Sequence, residues 1–138
     1  MSKLNSLILA GDRGEGDLLA RTAKVPCRAL LSLGGQPMIR GPLAALLAAE
    51  SVGDITISEP VNASELKTEL RDLGDRVSWM RSAESPSSSV LAALQELSTP
   101  LLVTTADHAF LRGEIVDDFC RRAAAAADVD LWVGVVRH

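Results

Sequence analysis

The feature that most constrains the fold is an alternation between two kinds of apolar pattern. Short apolar and β-branched runs, typical of strands buried on both faces, occupy residues 7–9, 54–58, 77–80, 101–105 and 131–136. Between them, apolar residues recur three or four positions apart, as in helices that bury one face. This order predicts βαβ units with a parallel sheet and right-handed crossovers. We therefore expect an α/β fold, a three-layer αβα sandwich with a mainly parallel sheet, formed by residues 1–138 as a single domain.

Local signals predict where the helices begin. Asn62, followed by Glu65, resembles a capping box, and Ser85-Pro86 predicts an N-cap with proline at the first helical position. Because proline lacks an N–H, the helix that contains Gly41-Pro42 either begins at Pro42 or is kinked in its first turn. The expected buried stripes are Ile39/Leu43/Leu46/Leu47, Leu66/Leu70/Leu73, Val90/Leu91/Leu94/Leu97 and Ile115/Phe119/Ala123.

Charge and cysteine content limit the class of partner. The formal net charge is −4, with a pI of about 5.1 and no run of basic residues, which argues against a nucleic-acid partner. The longest apolar stretches are shorter than the ~18 residues that cross a bilayer, so no membrane association is expected. Cys27 and Cys120 form no disulfide framework or metal pattern, and we interpret them as reduced thiols of a cytoplasmic protein.

Three segments are predicted to meet at one edge of the sheet: residues 11–17, 85–89 and 104–108. Each follows or adjoins the carboxyl end of a predicted strand, which is where α/β folds bind ligands. The first segment holds Gly11, Gly14 and Gly16, and glycine backbone N–H groups can surround phosphate oxygens. Its spacing fits neither the dinucleotide fingerprint nor the P-loop. A phosphate site and an ordinary flexible loop both remain open on spacing alone.

The other two segments offer polar groups. A carboxylate at the end of a buried strand, such as Asp107, suits Mg²⁺, although it could instead cap the helix near Gly113. His108 is more typical of a packing or solvent-facing residue than of a ligand or an acid–base group. Residues 87–89 are serines that could contact a nucleobase edge or an anion, or simply cap a helix. The charged face formed by Asp117, Asp118, Arg121 and Arg122 is expected to be solvated.

Four motifs follow one another along the chain in the order typical of a known enzyme family. Residues 9–11, LAG, begin the glycine loop, and residues 28–39, RALLSLGGQPMI, are similar to the pattern K-x-L-x-x-[LIV]-x-G-[KR]-P-[LM]-[LI]. Residues 89–94, SVLAAL, resemble S-V-x-x-A-L, and residues 105–111, TADHAFL, resemble [AC]-D-x-P-[FL]-[LIV]. Together the four motifs resemble the MobA-like NTP transferases, nucleotidyltransferases with a Rossmann-like GT-A-type fold. The resemblance covers essentially the whole chain, although the family usually continues with further strands, so the chain resembles a truncated member.

The resemblance implies a role for each motif. The loop would cradle a nucleoside triphosphate, Arg28 and Arg13 would be catalytic, Lys24 could add charge, and Asp107 would hold Mg²⁺. Ser87 and Ser89 would lie near the nucleotide. The remaining nucleotide-binding residues would be Leu9, Ala10, Gly11, Asp12, Arg13 and Gly14.

The sequence departs from the family pattern at several of these positions. Asp12 replaces a glycine, Gly16 stands where the loop usually has arginine, Arg28 replaces lysine, and Ala109 replaces the proline after the metal aspartate. An arginine presents a planar fork, whereas a lysine presents a point charge, so Arg28 is not a conservative replacement.

The implied activity is Mg²⁺-dependent transfer of NMP from an NTP to a phosphate-bearing or cofactor-type small-molecule acceptor, with release of pyrophosphate. The altered loop and the missing strands favour an alternative, a degenerate non-catalytic module used for nucleotide binding or assembly. A glycosyltransferase would favour a D-x-D pair, which residues 107–109 lack. We also expect that an exposed sheet edge could allow self-association into a homo-oligomer.

Overall fold

The computed structural model describes residues 2–12, 16–126, 128–135 and 137. Its larger sheet contains β1 (Leu4–Leu9), β4 (Val52–Glu59), β5 (Val77–Arg81) and β6 (Leu101–Thr105), with all neighbours parallel in the order β5-β4-β1-β6. A two-residue hairpin joins β2 (Ser32–Leu33) to β3 (Gln36–Pro37). The helices are α1 (Leu18–Ala23), α2 (Arg40–Ala48), α3 (Ser64–Glu69), α4 (Pro86–Glu96) and α5 (Gly113–Ala125), with short 3₁₀ turns at Arg28–Leu30 and Arg71–Leu73.

The predicted α/β fold with a parallel sheet is confirmed. Successive residues of the central strands, which point to opposite faces, are both buried: Leu7 and Ile8 in β1, and Ile55 through Ser58 in β4. The sheet is therefore covered on both faces, as parallel sheets require. Within the described residues, no helix is long and apolar enough to cross a membrane.

Helix α2 begins at Arg40, so its proline lies in the first turn. Backbone N–H groups of a first turn have no partner inside the helix, and Pro42 therefore costs no hydrogen bond there. The neighbouring position requires glycine, because a Cβ on Gly41 would lie 2.4 Å from the carbonyl oxygen of Ala109. The start of α2 thus packs directly on the backbone that follows β6.

Three predictions about helices are wrong. In α4 the buried residues are Ser89 and Ala93, whereas Leu91 and Leu94 of the predicted stripe are 60% and 43% exposed. No side chain caps α3, whose N-cap is Ala63; Asn62 instead donates to the carbonyl oxygen of Pro26 at 3.5 Å. In α5 the most buried residues are Val116 and Cys120, whereas Ile115 is 45% exposed, so the predicted stripe is displaced by one position.

Asp117, predicted to belong to a solvated face, has a structural role. Its carboxylate accepts hydrogen bonds from the backbone N–H groups of Glu50 and Ser51 at 3.1 and 2.8 Å, and from the Ser51 hydroxyl at 2.6 Å. These bonds hold the segment between α2 and β4, and they lower the pKa of the Asp117 carboxyl. The ion pairs of Asp118 with Arg121 and Arg122 do lie on an exposed face.

The strand predicted at residues 131–136 is also not observed. Residues 131–135 are irregular and lie outside the sheet, and Val136 falls outside the described residues. A strand requires a neighbouring strand for its backbone hydrogen bonds, and none is paired with this segment in the described structure. Trp132 instead packs edge-to-face on Phe119 of α5, with 6.4 Å between ring centroids.

Candidate functional site

A cleft of about 740 Å³ opens at the carboxyl ends of β1, β4 and β5. This is the edge at which parallel α/β sheets bind ligands. The first loop, the 3₁₀ turn at Arg28, the ends of β4 and β5, and the start of α4 provide its walls. The lining residues are Leu9, Gly11, Asp12, Asp17, Arg28, Ser58, Glu59, Pro60, Val61, Arg81, Ser82, Ala83, Glu84, Ser85, Pro86 and Ser89.

Asp12, the residue that replaces a glycine of the family's loop, bonds to the segment that carries Arg28. Its Oδ2 accepts a hydrogen bond from the backbone N–H of Arg28 at 3.0 Å. This contact spans sixteen positions of sequence and attaches the loop after β1 to the 3₁₀ turn. Asp12 therefore helps to set the backbone position of Arg28 at the wall of the cleft.

Asp17 binds the side chain of the same arginine. Its Oδ1 accepts from the backbone N–H of Ala20 at 3.0 Å and so caps α1. Its Oδ2 lies 3.0 Å from Nε and 2.7 Å from Nη2 of Arg28. The hydrogen bond from Ala20, together with the hydrogen bond and charge of Arg28, lowers the pKa of the buried Asp17 carboxyl, and burial opposes this shift.

Gly11 packs closely against the residue that follows β5. A Cβ on Gly11 would lie 2.9 Å from the Ser82 hydroxyl oxygen, which is itself 2.6 Å from the hydroxyl oxygen of Ser58. The end of β1 and the ends of β4 and β5 are thereby brought together under the cleft.

The predicted start of α4 is confirmed, with Ser85 as its N-cap and Pro86 in the first turn. The Ser85 hydroxyl accepts from the backbone N–H of Ser88 at 3.1 Å. Ser89 is buried, and its hydroxyl accepts from the backbone N–H of Ala83 at 2.9 Å. Ser89 thus holds the segment between β5 and α4 against the cleft.

Asp107 lies at the same edge of the sheet but does not line the cleft. Thr105 is paired with Leu9 in neighbouring strands, so Asp107 follows β6 at the level at which Gly11 follows β1. The exposed Asp107 carboxylate accepts from the Thr105 hydroxyl at 2.6 Å, and it does not cap α5, whose N-cap is Arg112. His108 is exposed, with Nδ1 3.3 Å from the Thr104 hydroxyl oxygen.

The donor chemistry of this position fits Mg²⁺ better than a transition metal. Within the parts of the chain that the structure describes, no three His, Cys, Asp or Glu side chains form a metal-binding group. Mg²⁺ is commonly held by one or two carboxylates together with substrate phosphates, so a single Asp107 carboxylate is a suitable protein ligand.

The structure brings some of the predicted nucleotide-binding residues together and not others. Leu9, Gly11, Asp12, Arg28 and Ser89 line the cleft, and Ala10 lies buried beside them. Two predicted residues, Arg13 and Gly14, lie outside the described residues. Others are exposed and do not line the cleft: Lys24 and Ser87, in addition to Asp107.

Sequence reasoning missed several residues that line the cleft. The motifs place Asp17 only within the glycine loop, and they assign neither Glu59 nor Arg81 to the site. Glu59 and Arg81 end neighbouring strands in register, and Glu59 forms a 2.7 Å ion pair with Lys67. The rule that places ligands beyond the carboxyl ends of strands could have identified both.

Comparison with solved structures shows the same fold in nucleotidyltransferases. CMP:2-keto-3-deoxy-manno-octonic acid synthetase complexed with CTP is 16% identical, with a TM-score of 0.69, over 91% of this chain and 49% of that one. A nucleotidyl transferase from Methanothermobacter is 19% identical, with a TM-score of 0.69 over 88% of this chain and 58% of that one. The 4-diphosphocytidyl-2C-methyl-D-erythritol synthase from Anaerococcus prevotii is 12% identical, with a TM-score of 0.68 over 89% of this chain and 52% of that one.

This chain therefore spans about half the length of the structures that it resembles. No curated protein sequence matches it. The model of the MobA-like NTP transferase domain, however, matches residues 6–137. Because this match covers nearly every residue, the chain belongs to the family of MobA-like NTP transferase domains.

Proposed function

We propose that the cleft binds a nucleoside triphosphate with Mg²⁺ and that the chain is the nucleotide-binding part of a nucleotidyltransferase. The observation that carries this proposal is the composition of the cleft at the carboxyl ends of β1, β4 and β5. A glycine at the end of β1, the guanidinium of Arg28 and the start of α4 face one space of about 740 Å³. Backbone N–H groups and a guanidinium are suitable donors for phosphate oxygens.

In the proposed reaction an oxygen of the acceptor forms a bond to the α-phosphorus of the NTP. The bond between that phosphorus and its bridging oxygen breaks, and the electron pair leaves with pyrophosphate. Arg28 would bind phosphate oxygens and stabilise the charge that develops on them. Asp107 would hold Mg²⁺, which supplies further neutralisation of the phosphates when bound.

The acceptor we propose is a phosphate-bearing or cofactor-type small molecule, and the location we propose is cytoplasmic. Both cysteines are free thiols within buried surroundings, in keeping with a reducing compartment. Self-association would use β6, which ends the order of the described sheet and carries no charged residue.

Calorimetric titration with CTP, GTP, ATP and UTP, each with and without Mg²⁺, tests the nucleotide site. CTP is the first choice because a fold relative was determined in complex with CTP. We expect one nucleotide to bind, and Arg28→Ala to weaken that binding about tenfold, as loss of a charge-assisted hydrogen bond would. Arg71→Ala is the matched control because Arg71 does not line the cleft. Failure of all four nucleotides to bind would overturn the proposal.

The second candidate is a non-catalytic module that uses the same cleft for binding or assembly. The position of Asp107 favours it, since this carboxylate does not line the cleft that holds Arg28. Asp107→Ala separates the two candidates. A nucleotidyltransferase would lose Mg²⁺-dependent affinity in this variant, whereas the module would retain the affinity of the unaltered chain.

A further inference from the structure

The carboxylate of Asp17 is divided between two tasks. One oxygen accepts a hydrogen bond from the backbone N–H of Ala20 and caps α1. The other accepts a hydrogen bond from Nε of Arg28 and forms an ion pair with Nη2 of the same side chain. Nη1 makes no hydrogen bond to any described residue. The contact with Asp17 therefore uses one edge of the guanidinium and leaves the donors of Nη1 unused by the described part of the protein.

The two side chains differ sharply in their exposure. The Asp17 side chain is fully buried, whereas the Arg28 side chain is 41% exposed and lines the cleft. One end of the pair is thus fixed by burial and by the helix cap, and the other end faces a space large enough for a ligand. An arginine held in this way has already lost most of its side-chain rotamer freedom before any ligand arrives.

We propose that Asp17 is a positioning residue, which holds the Arg28 guanidinium at the wall of the cleft so that its remaining donors meet the phosphates of the bound nucleotide. This inference rests on the proposed nucleotide site. Asp17 does not itself bind the phosphates, because its side chain is fully buried and an ionised carboxylate has no donor to offer them.

A different role for the same pair makes the opposite prediction. If Asp17 were a latch that competes with phosphate for Arg28, its neutralisation would release the guanidinium and tighten nucleotide binding. If Asp17 positions Arg28, neutralisation lets the guanidinium move and weakens binding. The sign of the change in affinity therefore decides between positioning and competition.

Asp17→Asn is the variant that isolates this role. Asparagine is as good an N-cap as aspartate, so the bond to Ala20 is retained while the charge that holds Arg28 is removed. Asp17→Ser keeps the cap with a smaller side chain, and it serves if the first variant folds poorly. Asp72→Asn is the matched control, since it removes another Asp–Arg pair, with Arg40, away from the cleft.

The dissociation constant of the Mg²⁺–nucleotide complex is measured by calorimetry for each variant. We expect Asp17→Asn to raise it about tenfold, consistent with weakening one charge-assisted contact, and Asp72→Asn to leave it unchanged. In a chain that already carries Arg28→Ala, Asp17→Asn should add no further loss. Unchanged or tighter binding by Asp17→Asn, or a loss that persists without Arg28, would overturn the inference.

A second ligand separates this inference from the proposed function. Inorganic tripolyphosphate, added together with Mg²⁺, offers the same phosphate oxygens without a base or sugar. If the chain binds tripolyphosphate but no nucleotide, and Asp17→Asn weakens that binding, the proposed function fails while the positioning role stands. If nucleotide binds but Asp17→Asn has no effect, the positioning role fails alone. If the chain binds neither ligand, both the proposed function and the positioning role are overturned.

Nuclear magnetic resonance of the Arg28 Nε–H group gives a readout that does not depend on ligand. A held guanidinium gives a distinct resonance that is slow to exchange with water, and a freed one averages with the other exposed arginines. We expect the distinct resonance in the unaltered chain and its loss in Asp17→Asn. A free Nε–H group in the unaltered chain would contradict the inference.

Discussion

Among single residues, Asp17 makes the response of the protein to acid predictable. Its pKa is lowered in the folded state, first by the hydrogen bond from Ala20 and also by Arg28. A lowered folded pKa means that the carboxylate stabilises the fold above its unfolded value of about 4, and that this stability is lost as the pH falls through the folded value. Urea unfolding of the unaltered chain and Asp17→Asn should differ most near neutral pH, and the difference should shrink below about pH 4. A difference independent of pH would contradict this.

The two cysteines should be unreactive in the folded protein. Burial raises the pKa of the Cys27 thiol to about 11, and burial likewise raises the pKa of Cys120. Because the thiolate is the reactive form, a thiol reagent such as Ellman's reagent should label neither residue at pH 8 in the folded state. In urea both should react. Rapid labelling of the folded chain would show that one of these sites is open.

Gly41 should tolerate no side chain. A Cβ there would lie 2.4 Å from the carbonyl oxygen of Ala109, so Gly41→Ala must displace either α2 or the backbone next to Asp107. We expect it to lower the free energy of unfolding by roughly 1–3 kcal/mol, as overpacking does. It should also weaken the Mg²⁺-dependent part of nucleotide affinity. Gly134→Ala, whose Cβ would meet Phe119 at an ordinary 3.4 Å, is the control for urea unfolding.

Residue type and spacing predicted only part of this site. Gly11 and Arg28 are in motifs and line the cleft, whereas the hydrogen bond that Arg28 donates to Asp17 depends on how α1 and the 3₁₀ turn meet. That meeting is a tertiary contact, and no periodicity along the sequence encodes it. Asp12 is similar: in the sequence it only replaces a glycine of the family's loop, and in the structure it accepts a hydrogen bond from the backbone N–H of Arg28.

At the level of elements, Arg76 joins the end of α2 to the beginning of β4. Its guanidinium donates to the carbonyl oxygens of Leu47, Val52 and Gly53 at 3.0–3.1 Å. The last carbonyls of a helix have no partner inside it, and Arg76 supplies one. Arg76→Lys should lower the free energy of unfolding by about 1–3 kcal/mol, because one ammonium cannot reach all three oxygens in this geometry.

Urea unfolding measures the Arg76 effect, with Arg71→Lys as its control. Arg71 is exposed in the nearby 3₁₀ turn, and its replacement should change the free energy of unfolding little. Equal stability of Arg76→Lys and the unaltered chain would contradict the prediction, and it would show that water can donate hydrogen bonds to these carbonyl oxygens in place of Arg76.

The bounds of an element were predicted well where they depend on residues within or next to that element. The strand at residues 101–105 has the observed bounds, and the cap at Ser85 with Pro86 fixes the start of α4. The strand expected at residues 131–136 failed, because a strand depends on a neighbour that its own sequence does not specify. The buried face of α5 was misplaced by one position: Val116 and Cys120 pack into the core, and Ile115 faces outward.

At the level of the whole molecule, the charge around the cleft predicts a strong effect of divalent cations. The acids that line it outnumber the arginines: Asp12, Asp17, Glu59 and Glu84 against Arg28 and Arg81. A free triphosphate should therefore be repelled unless a cation accompanies it. Chelation of Mg²⁺ with EDTA should raise the nucleotide dissociation constant on the order of tenfold or more. Calorimetry in matched ionic strength measures this, and equal affinity with and without Mg²⁺ would contradict it.

The general position of the site was predictable from topology. The separation of the segment that holds Asp107 from the cleft was not. Three segments were expected at one edge of the sheet, and the structure places all three there. Only two of them line the cleft, because β6 lies on the far side of β1 from β4 and β5. Strand order decides this, and the order of strands in a sheet is not contained in the pattern of any one strand.

The contact between Gly41 and Ala109 also has an evolutionary consequence. The residue type at position 41, in the first turn of α2, and the path of the backbone at position 109, after β6, cannot change independently while these segments touch. A side chain at position 41 would be acceptable only with a different path of the chain at position 109. Among relatives of this protein we therefore expect glycine at the position equivalent to 41 wherever the turn after the aspartate follows the path seen here.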